Sequence, residues 1–264
     1  MELELKNKAV VVTGAASNIG RAITLGFARE GANITLADID EAQAATVAAL
    51  AREAGAAGAE VVRCDVTQLE QVQAMFARTV ERCGTVDVLV NNVGWDRFMY
   101  FTQTTPDLWQ RLIQVNFVGM LNCTWTALGI MVPKQQGAIV SISSDASRQG
   151  EPREAVYGAM KAGINSFMKT IAKENGRYGI RCNVVCPGVT IPGQGEMSGT
   201  SMWADEGTSF TPEQTAQIAK SLPLKRMGRP EDVVGTVLLL ASNKVASYLT
   251  GQVISVSGGY TMIG

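Results

Sequence analysis

Histidine is absent from all 264 residues of this chain. Its absence removes the side chain whose ordinary pKa lies nearest neutrality, both as a general acid or base and as a metal ligand. Cysteine is sparse: Cys64, Cys83, Cys123, Cys182 and Cys186 are scattered, with no CxxC pair. No metal site and no redox pair are therefore expected. Cys182 and Cys186 are an even number of positions apart, so on a strand they share one packed face. Such thiols read as small core residues in a reducing compartment, and the protein is expected to be cytoplasmic. Neither sign of charge dominates, with 23 Lys and Arg against 24 Asp and Glu. Neither nucleic acid nor an anionic membrane surface is implied as a partner. The start, Met1-Glu2-Leu3-Glu4-Leu5, lacks the basic flank and apolar run of a signal peptide, and no apolar stretch of membrane-spanning length is expected.

What is present is a repeated alternation of strand and helix. The run 9–13 is continuously apolar, as for a strand covered on both faces. Ile19, Ala22, Ile23, Gly26 and Phe27 then recur at helical spacing, closed by Gly31. Further strands are expected at 34–37, 61–64, 86–90, 138–142, 180–185 and 253–256, with helices between them. Thr67 with Glu70 suggests a capping box. Thr105-Pro106-Asp107 opens a long helix expected to stop at Pro133, and a helix over 154–175 carries Tyr157 and Lys161. The implied fold is α/β: one doubly wound domain over the whole chain, with a mostly parallel seven-stranded sheet and helices on both faces. The one irregular stretch, 188–211, is rich in Gly, Ser, Thr, Pro and Met and is expected to be a substrate lid or binding loop.

Two motifs carry chemistry. Tyr157 and Lys161 are four apart, so on a helix they project to one side. A neighbouring cation favours a phenolate and draws a phenol from about 10 toward working pH. Ser144 lies thirteen positions before the tyrosine and Ser143 stands beside it; the strand end is expected to aim only one of them at the site. Near the N-terminus, Thr13-Gly14-Ala15-Ala16-Ser17-Asn18-Ile19-Gly20 joins the first strand to the first helix, where backbone N–H groups bind a pyrophosphate. Asp38 ends the second strand eighteen residues beyond Gly20, near the spacing of a carboxylate that grips ribose hydroxyls and repels a 2′-phosphate. With Ser17 in the loop and Ala37 before Asp38, no basic residue stands ready for that phosphate, which favours NAD over NADP.

On this loop, serine and Tyr-x-x-x-Lys, the chain resembles the short-chain dehydrogenase/reductase family over essentially its full length. Asn91-Asn92-Val93-Gly94 is similar to the family's Asn-Asn-Ala-Gly, Asp65-Val66 to the pair that contacts adenine, and Pro187-Gly188-Val189-Thr190 to the segment at the nicotinamide end. The resemblance implies a cofactor site from Gly14, Ser17, Asn18, Ile19, Gly20, Asp38, Ile39, Asp65, Val66, Asn92, Gly94, Tyr157, Lys161 and residues 187–190. It implies that Tyr157 exchanges the alcohol proton and Ser144 bonds the carbonyl oxygen. Lys161 would also hold the nicotinamide ribose, and Asn116 a water reaching Lys161. Two departures stand out. Asn18 replaces the loop's middle glycine, where asparagine is the residue that best tolerates positive φ. Val93 replaces alanine beside the cofactor.

Within the family, Gly94-Trp95-Asp96, 144–148, 154–157 and the tail 257–262 resemble alicyclic and aromatic hydroxyacyl-CoA dehydrogenases. The expected substrate is thus a small molecule carrying a secondary alcohol, with an acyl-CoA as its form. Arg148 and Arg153 could meet CoA phosphate or stay solvated, and Trp95, Asp96, Met197, Met202 and Trp203 could line the substrate pocket or simply pack. The alternatives are a dehydrogenase of a free aryl or cyclic alcohol and a non-catalytic, dehydrogenase-like subunit. Reduction of an acyl-carrier-protein thioester ranks lower, because that branch usually takes NADP and Asp38 opposes it. The family implies a homotetramer, or a hetero-oligomer with a related subunit.

Overall fold

The strand Ala9–Thr13 (β1) is buried at every position, which its unbroken apolar sequence dictates once helices cover both sheet faces. The computed structural model describes residues 2–193, 199, 201 and 210–262. Within them β1 is followed by α1 (Asn18–Arg29), β2 (Asn33–Asp38), α2 (Glu41–Glu53), β3 (Gly58–Arg63), α3 (Leu69–Cys83) and β4 (Val88–Asn91). The second half runs α4 (Pro106–Ile113), α5 (Gly119–Lys134), β5 (Gly137–Ile142), α6 (Ala146–Gln149), α7 (Ala155–Asn175), β6 (Ile180–Pro187), α8 (Pro212–Ser221), α9 (Pro230–Ala241) and β7 (Val253–Val256). The sheet order is β3-β2-β1-β4-β5-β6-β7 and every pairing is parallel. Strand order therefore reverses between β1 and β4, and carboxyl ends beside such a switch point open a crevice.

Alternation along the strands sorts the core into two layers. Val10, Val12, Ile34 and Leu36 pack with Ile23 and Phe27 of α1 and Val233 and Val237 of α9. Val11, Leu89, Ile139, Cys182 and Cys186 pack on the other face with Phe76 of α3, Met131 of α5 and Met168 of α7. The two thiols do share a face, and all five cysteines are free.

Four local expectations need correction. The capping box at Thr67 does not form: Asp65 Oδ1 accepts from both the N–H (2.9 Å) and the hydroxyl (2.8 Å) of Thr67, capturing the residue in an Asx turn before α3. The long helix is interrupted by a π-turn at Gln114–Val118, and it runs through Pro133 to end at Lys134, with Gln135 at φ 58° closing it, one residue past where the proline stop was expected. A helix not foreseen, α8, follows the irregular stretch, with a capping box at Thr211 and no buried residue. The helical run Pro106–Lys134 is, by length and composition, apolar enough to cross a membrane, contrary to expectation. It packs as a core element: Met120, Cys123, Ala127 and Met131 are buried against the sheet and α3.

Candidate active site

The loop from β1 to α1 is shaped by glycine where nothing else fits. Gly14 sits at φ 63°, and a Cβ on Gly20 would lie 1.9 Å from the Gly14 carbonyl oxygen. Asn18 adopts φ 50°, the conformation its tolerance of positive φ allows. Asn92 ties the loop to β4 by donating from Nδ2 to the carbonyls of Thr13 (3.0 Å) and Gly14 (3.1 Å). Asp38 is buried at the tip of β2. Its Oδ2 accepts the Ala16 N–H at 2.8 Å and its Oδ1 the Asp40 N–H at 3.0 Å. Burial raises this carboxyl, while the N–H groups of Asp40, Ala16 and Ile39 pull it back toward ionisation.

A cavity of about 880 Å³ runs from this loop across the carboxyl ends of the strands. Every catalytic and cofactor-binding candidate lines it except Gly20, which lies behind Gly14, and Asn116. Ile39, Asp65 and Val66 border the Asp38 end; Pro187, Gly188, Val189 and Thr190 border the far side beneath β6. Gly188 donates to Val256 O at 3.1 Å and Thr190 to Gly188 O at 3.1 Å, which fixes that segment's start. The expected lid, 188–211, is described only at 188–193, 199, 201 and 210–211; Met197, Met202 and Trp203 lie outside the described residues. A close-approach glycine turn, a helix N-terminus and a buried carboxylate on one wall fit a dinucleotide.

Ser144, Tyr157 and Lys161 meet in the middle of the cavity. Ser144 stands beside the Tyr157 hydroxyl and acts to lower its pKa, while Ser143 is turned inward, donating to Lys161 O at 2.9 Å. The end of β5 thus aims Ser144 into the site and Ser143 into the core. Lys161 is 2% exposed, donates from Nζ to Ile142 O at 3.0 Å, and lies 5.5 Å from the Tyr157 ring centroid. Burial lowers its pKa to about 8.

The electrostatics differ from the sequence expectation. Burial, then Glu154 and Asp96, push the Tyr157 phenol up, and Ser144 acts to lower it. Asn116, in the π-turn, is consumed by structure: it donates to Trp95 O (2.8 Å) and Leu112 O (3.0 Å) and accepts the Trp95 N–H (3.1 Å). It thereby braces the Gly94–Trp95 turn against Lys161, whose Nζ lies 3.0 Å from where a Gly94 Cβ would be.

At the other end of the cavity the structure brings together Asp96, Glu154 and Tyr260, to which their motifs gave no joint role. Asp96 is 3% exposed and burial holds it up to about 7; burial and then Asp96 hold Glu154 up to about 8. Tyr260 of the tail donates to Glu151, and Phe98 lies 6.2 Å from Phe210. The arginines divide: Arg148 is turned to β7, donating to Val253 O and Ser255, whereas Arg153 stays at the cavity rim and donates to Phe98 O. Sequence spacing missed Glu154 and Tyr260 because their proximity is set by where α7 and the tail cross, 109 residues apart for Glu151 and Tyr260.

Comparisons with known proteins agree with this geometry. Residues 14–261 match the family model described as "Enoyl-(Acyl carrier protein) reductase". The chain is 36% identical over 260 residues to 3-oxoacyl-(acyl-carrier-protein) reductase FabG of Thermotoga maritima, covering 97% of this chain and 99% of that one. It is 34% identical to a 3-oxoacyl-(acyl-carrier-protein) reductase of Synechocystis sp., covering 98% of each. A short-chain type dehydrogenase/reductase from Mycobacterium marinum superposes with a TM-score of 0.86 at 28% identity, covering 99% of this chain and 98% of that one. The Thermotoga maritima and Synechocystis relatives are named as acyl-carrier-protein reductases, not as the hydroxyacyl-CoA dehydrogenases whose motifs the sequence resembles.

Proposed function

The chain belongs to the short-chain dehydrogenase/reductase family, and from that premise we propose that it is an NAD-dependent oxidoreductase interconverting a 3-hydroxyacyl thioester and its 3-oxo form. The acyl group is cyclic or aromatic, and CoA is the carrier. When bound, the nicotinamide supplies and accepts the hydride.

The residues divide the remaining work. The Tyr157 hydroxyl gives a proton to the carbonyl oxygen in reduction and takes it back in oxidation. Ser144, which stands beside that hydroxyl and acts to lower its pKa, donates to the same oxygen as charge develops. Lys161, buried beneath Tyr157 and Gly94, is positioned to hold the nicotinamide ribose. Asn116 holds the Trp95 turn that walls the site. Asp38 supports the cofactor choice: each oxygen already accepts one backbone N–H and keeps a lone pair for a ribose hydroxyl. A 2′-phosphate there would face a buried negative charge.

The observation that carries the reading is that Ser144, Tyr157 and Lys161 line one cavity together with Asp38. A second reading, reduction of a 3-oxoacyl group on an acyl carrier protein, is favoured by the relatives' names. One screen separates them: NADH formation from cyclic and aromatic secondary alcohols, with and without a CoA thioester, alongside NADPH oxidation with a 3-oxoacyl carrier protein. Faster NADH formation with the CoA thioesters is expected. Turnover only with NADPH and the carrier protein would overturn the NAD and CoA assignments.

A further inference from the structure

Asp96 is the most unusual polar group in the cavity. It follows β4 by five residues, is 3% exposed, and its Oδ2 has no hydrogen-bond partner. Its carboxyl receives only the backbone N–H of Arg97. From α7 it is faced by Glu154, Tyr157 and Lys161, each within electrostatic reach. The other charged groups on this wall are engaged elsewhere. Arg111 of α4 lies over the Trp95 ring at 3.9 Å, Arg153 donates to Phe98 O, and Glu151 accepts from Tyr260. Among the described residues no cation forms an ion pair with Asp96.

A buried carboxylate oxygen without a partner carries a large desolvation cost, and the inexpensive remedy is to keep a proton. Burial is what holds the proton on Asp96, against the pull of the Arg97 N–H and of Lys161. Glu154, itself raised by burial and then by Asp96, adds no cation to this wall, and two close carboxyls titrate as a pair. A protonated carboxyl differs from the ionised one in a way that matters for recognition: it offers an O–H donor. We infer that Asp96, kept protonated beside Glu154, donates a hydrogen bond to a second substrate oxygen, the thioester carbonyl neighbouring the carbon that Tyr157 and Ser144 address. Asp96 thereby selects 1,3-dioxygenated thioesters over simple ketones. This inference rests on the proposed reaction and adds the group that reads the thioester.

The chemistry argues against other ligands for the same wall. A phosphate or carboxylate on the substrate would meet two carboxyls and no free cation. A substrate ammonium would favour the ionised pair, and its binding would improve, not weaken, as pH rises.

The test uses matched ketones: cyclohexanone and the N-acetylcysteamine thioester of 2-oxocyclohexanecarboxylic acid, each reduced with NADH. Asp96→Ala is expected to lower the ratio of kcat/KM for the thioester to kcat/KM for cyclohexanone by about ten-fold or more. Asp96→Asn, which keeps an N–H donor but cannot titrate, is expected to retain thioester activity. The wild-type rise in KM between roughly pH 7 and 9 should be smaller in that variant. Equal losses on both ketones, no loss with alanine, or an unchanged pH profile in the asparagine variant would each overturn the inference. NADH binding by fluorescence reports folding; if the alanine variant fails to bind, the pH profile of the asparagine variant decides. Should the wild type reduce neither ketone, the proposed reaction fails separately. Calorimetric binding of the thioester with NAD present then tests Asp96 alone, and equal affinity in wild type and Asp96→Ala would sink it.

Discussion

Asp38 and Asp96 are both buried carboxyls on the wall of one cavity, at 8% and 3% exposure, and their surroundings give them opposite characters. Asp38 sits where the β1 turn and the end of β2 converge, so N–H groups of Ala16, Ile39 and Asp40 point at it. Asp96 lies in an irregular stretch after β4 with one backbone N–H, an unpartnered oxygen and a second carboxyl across from it. Burial raises both. Convergent backbone donors keep the first an acceptor, and their scarcity keeps the second a proton holder. The nucleotide end of the cavity is thus made from backbone geometry, and the substrate end from side chains whose charge state depends on one another.

The strongest way to break this division is Tyr157→Phe. Removing the hydroxyl where the two ends meet should lower kcat by about 10²–10⁴-fold while NAD binding, followed by fluorescence, stays near wild type. A parallel loss of NAD affinity would show that the two ends are not separable. Next in size is Asp38→Ala, which should lower the NAD over NADP preference in kcat/KM by about ten-fold or more. Because Asp38 also holds the Ala16 N–H, Asp38→Asn should recover part of the NAD affinity; an unchanged cofactor ratio in both variants would refute the assignment.

The titration contrast sharpens the comparison further. Asp96 and Glu154 stand at about 7 and about 8 in the folded protein, against ordinary values of about 4. The folded state therefore binds more protons between those limits. Its added stability is present at pH 4 and is lost as pH rises through 7 and 8. Lys161, lowered to about 8, titrates with the opposite sign and only above this window. Wild-type Tm should fall between pH 5 and 8, and Asp96→Asn should flatten that fall by roughly 2–4 °C. An identical slope in the variant would mean that Asp96 is ionised throughout. The smallest effect belongs to the backbone at the nucleotide end: Asn18→Gly, at φ 50°, should change stability by less than about 1 kcal/mol, measured by urea denaturation.

Legibility followed the same line. The glycine loop, Asp38 and the Tyr157–Lys161 spacing were readable because each is a short contiguous pattern whose geometry is set within one turn. The electrical relation of Tyr157 to Lys161 was not. A four-residue spacing places both on one face, but it could not show that burial, then Glu154 and Asp96, raise the phenol. The Thr67 cap failed for a similar reason, since a nearer acceptor, Asp65, claimed the hydroxyl. The uninterrupted helix over 106–134 gave way to a π-turn where Asn116 reaches across to the Trp95 backbone.

By itself the sequence determined the strand and helix alternation, the layer each apolar side chain joins, and the two motifs with chemistry, because periodicity and short turns are local properties of a chain. Only the tertiary structure decided which serine faces the cavity, that Asn116 is a brace, and that Asp96 meets Glu154 beside Tyr157. Charge state and hydrogen-bond partnership depend on burial and on neighbours distant along the chain, and those exist only once the elements have packed.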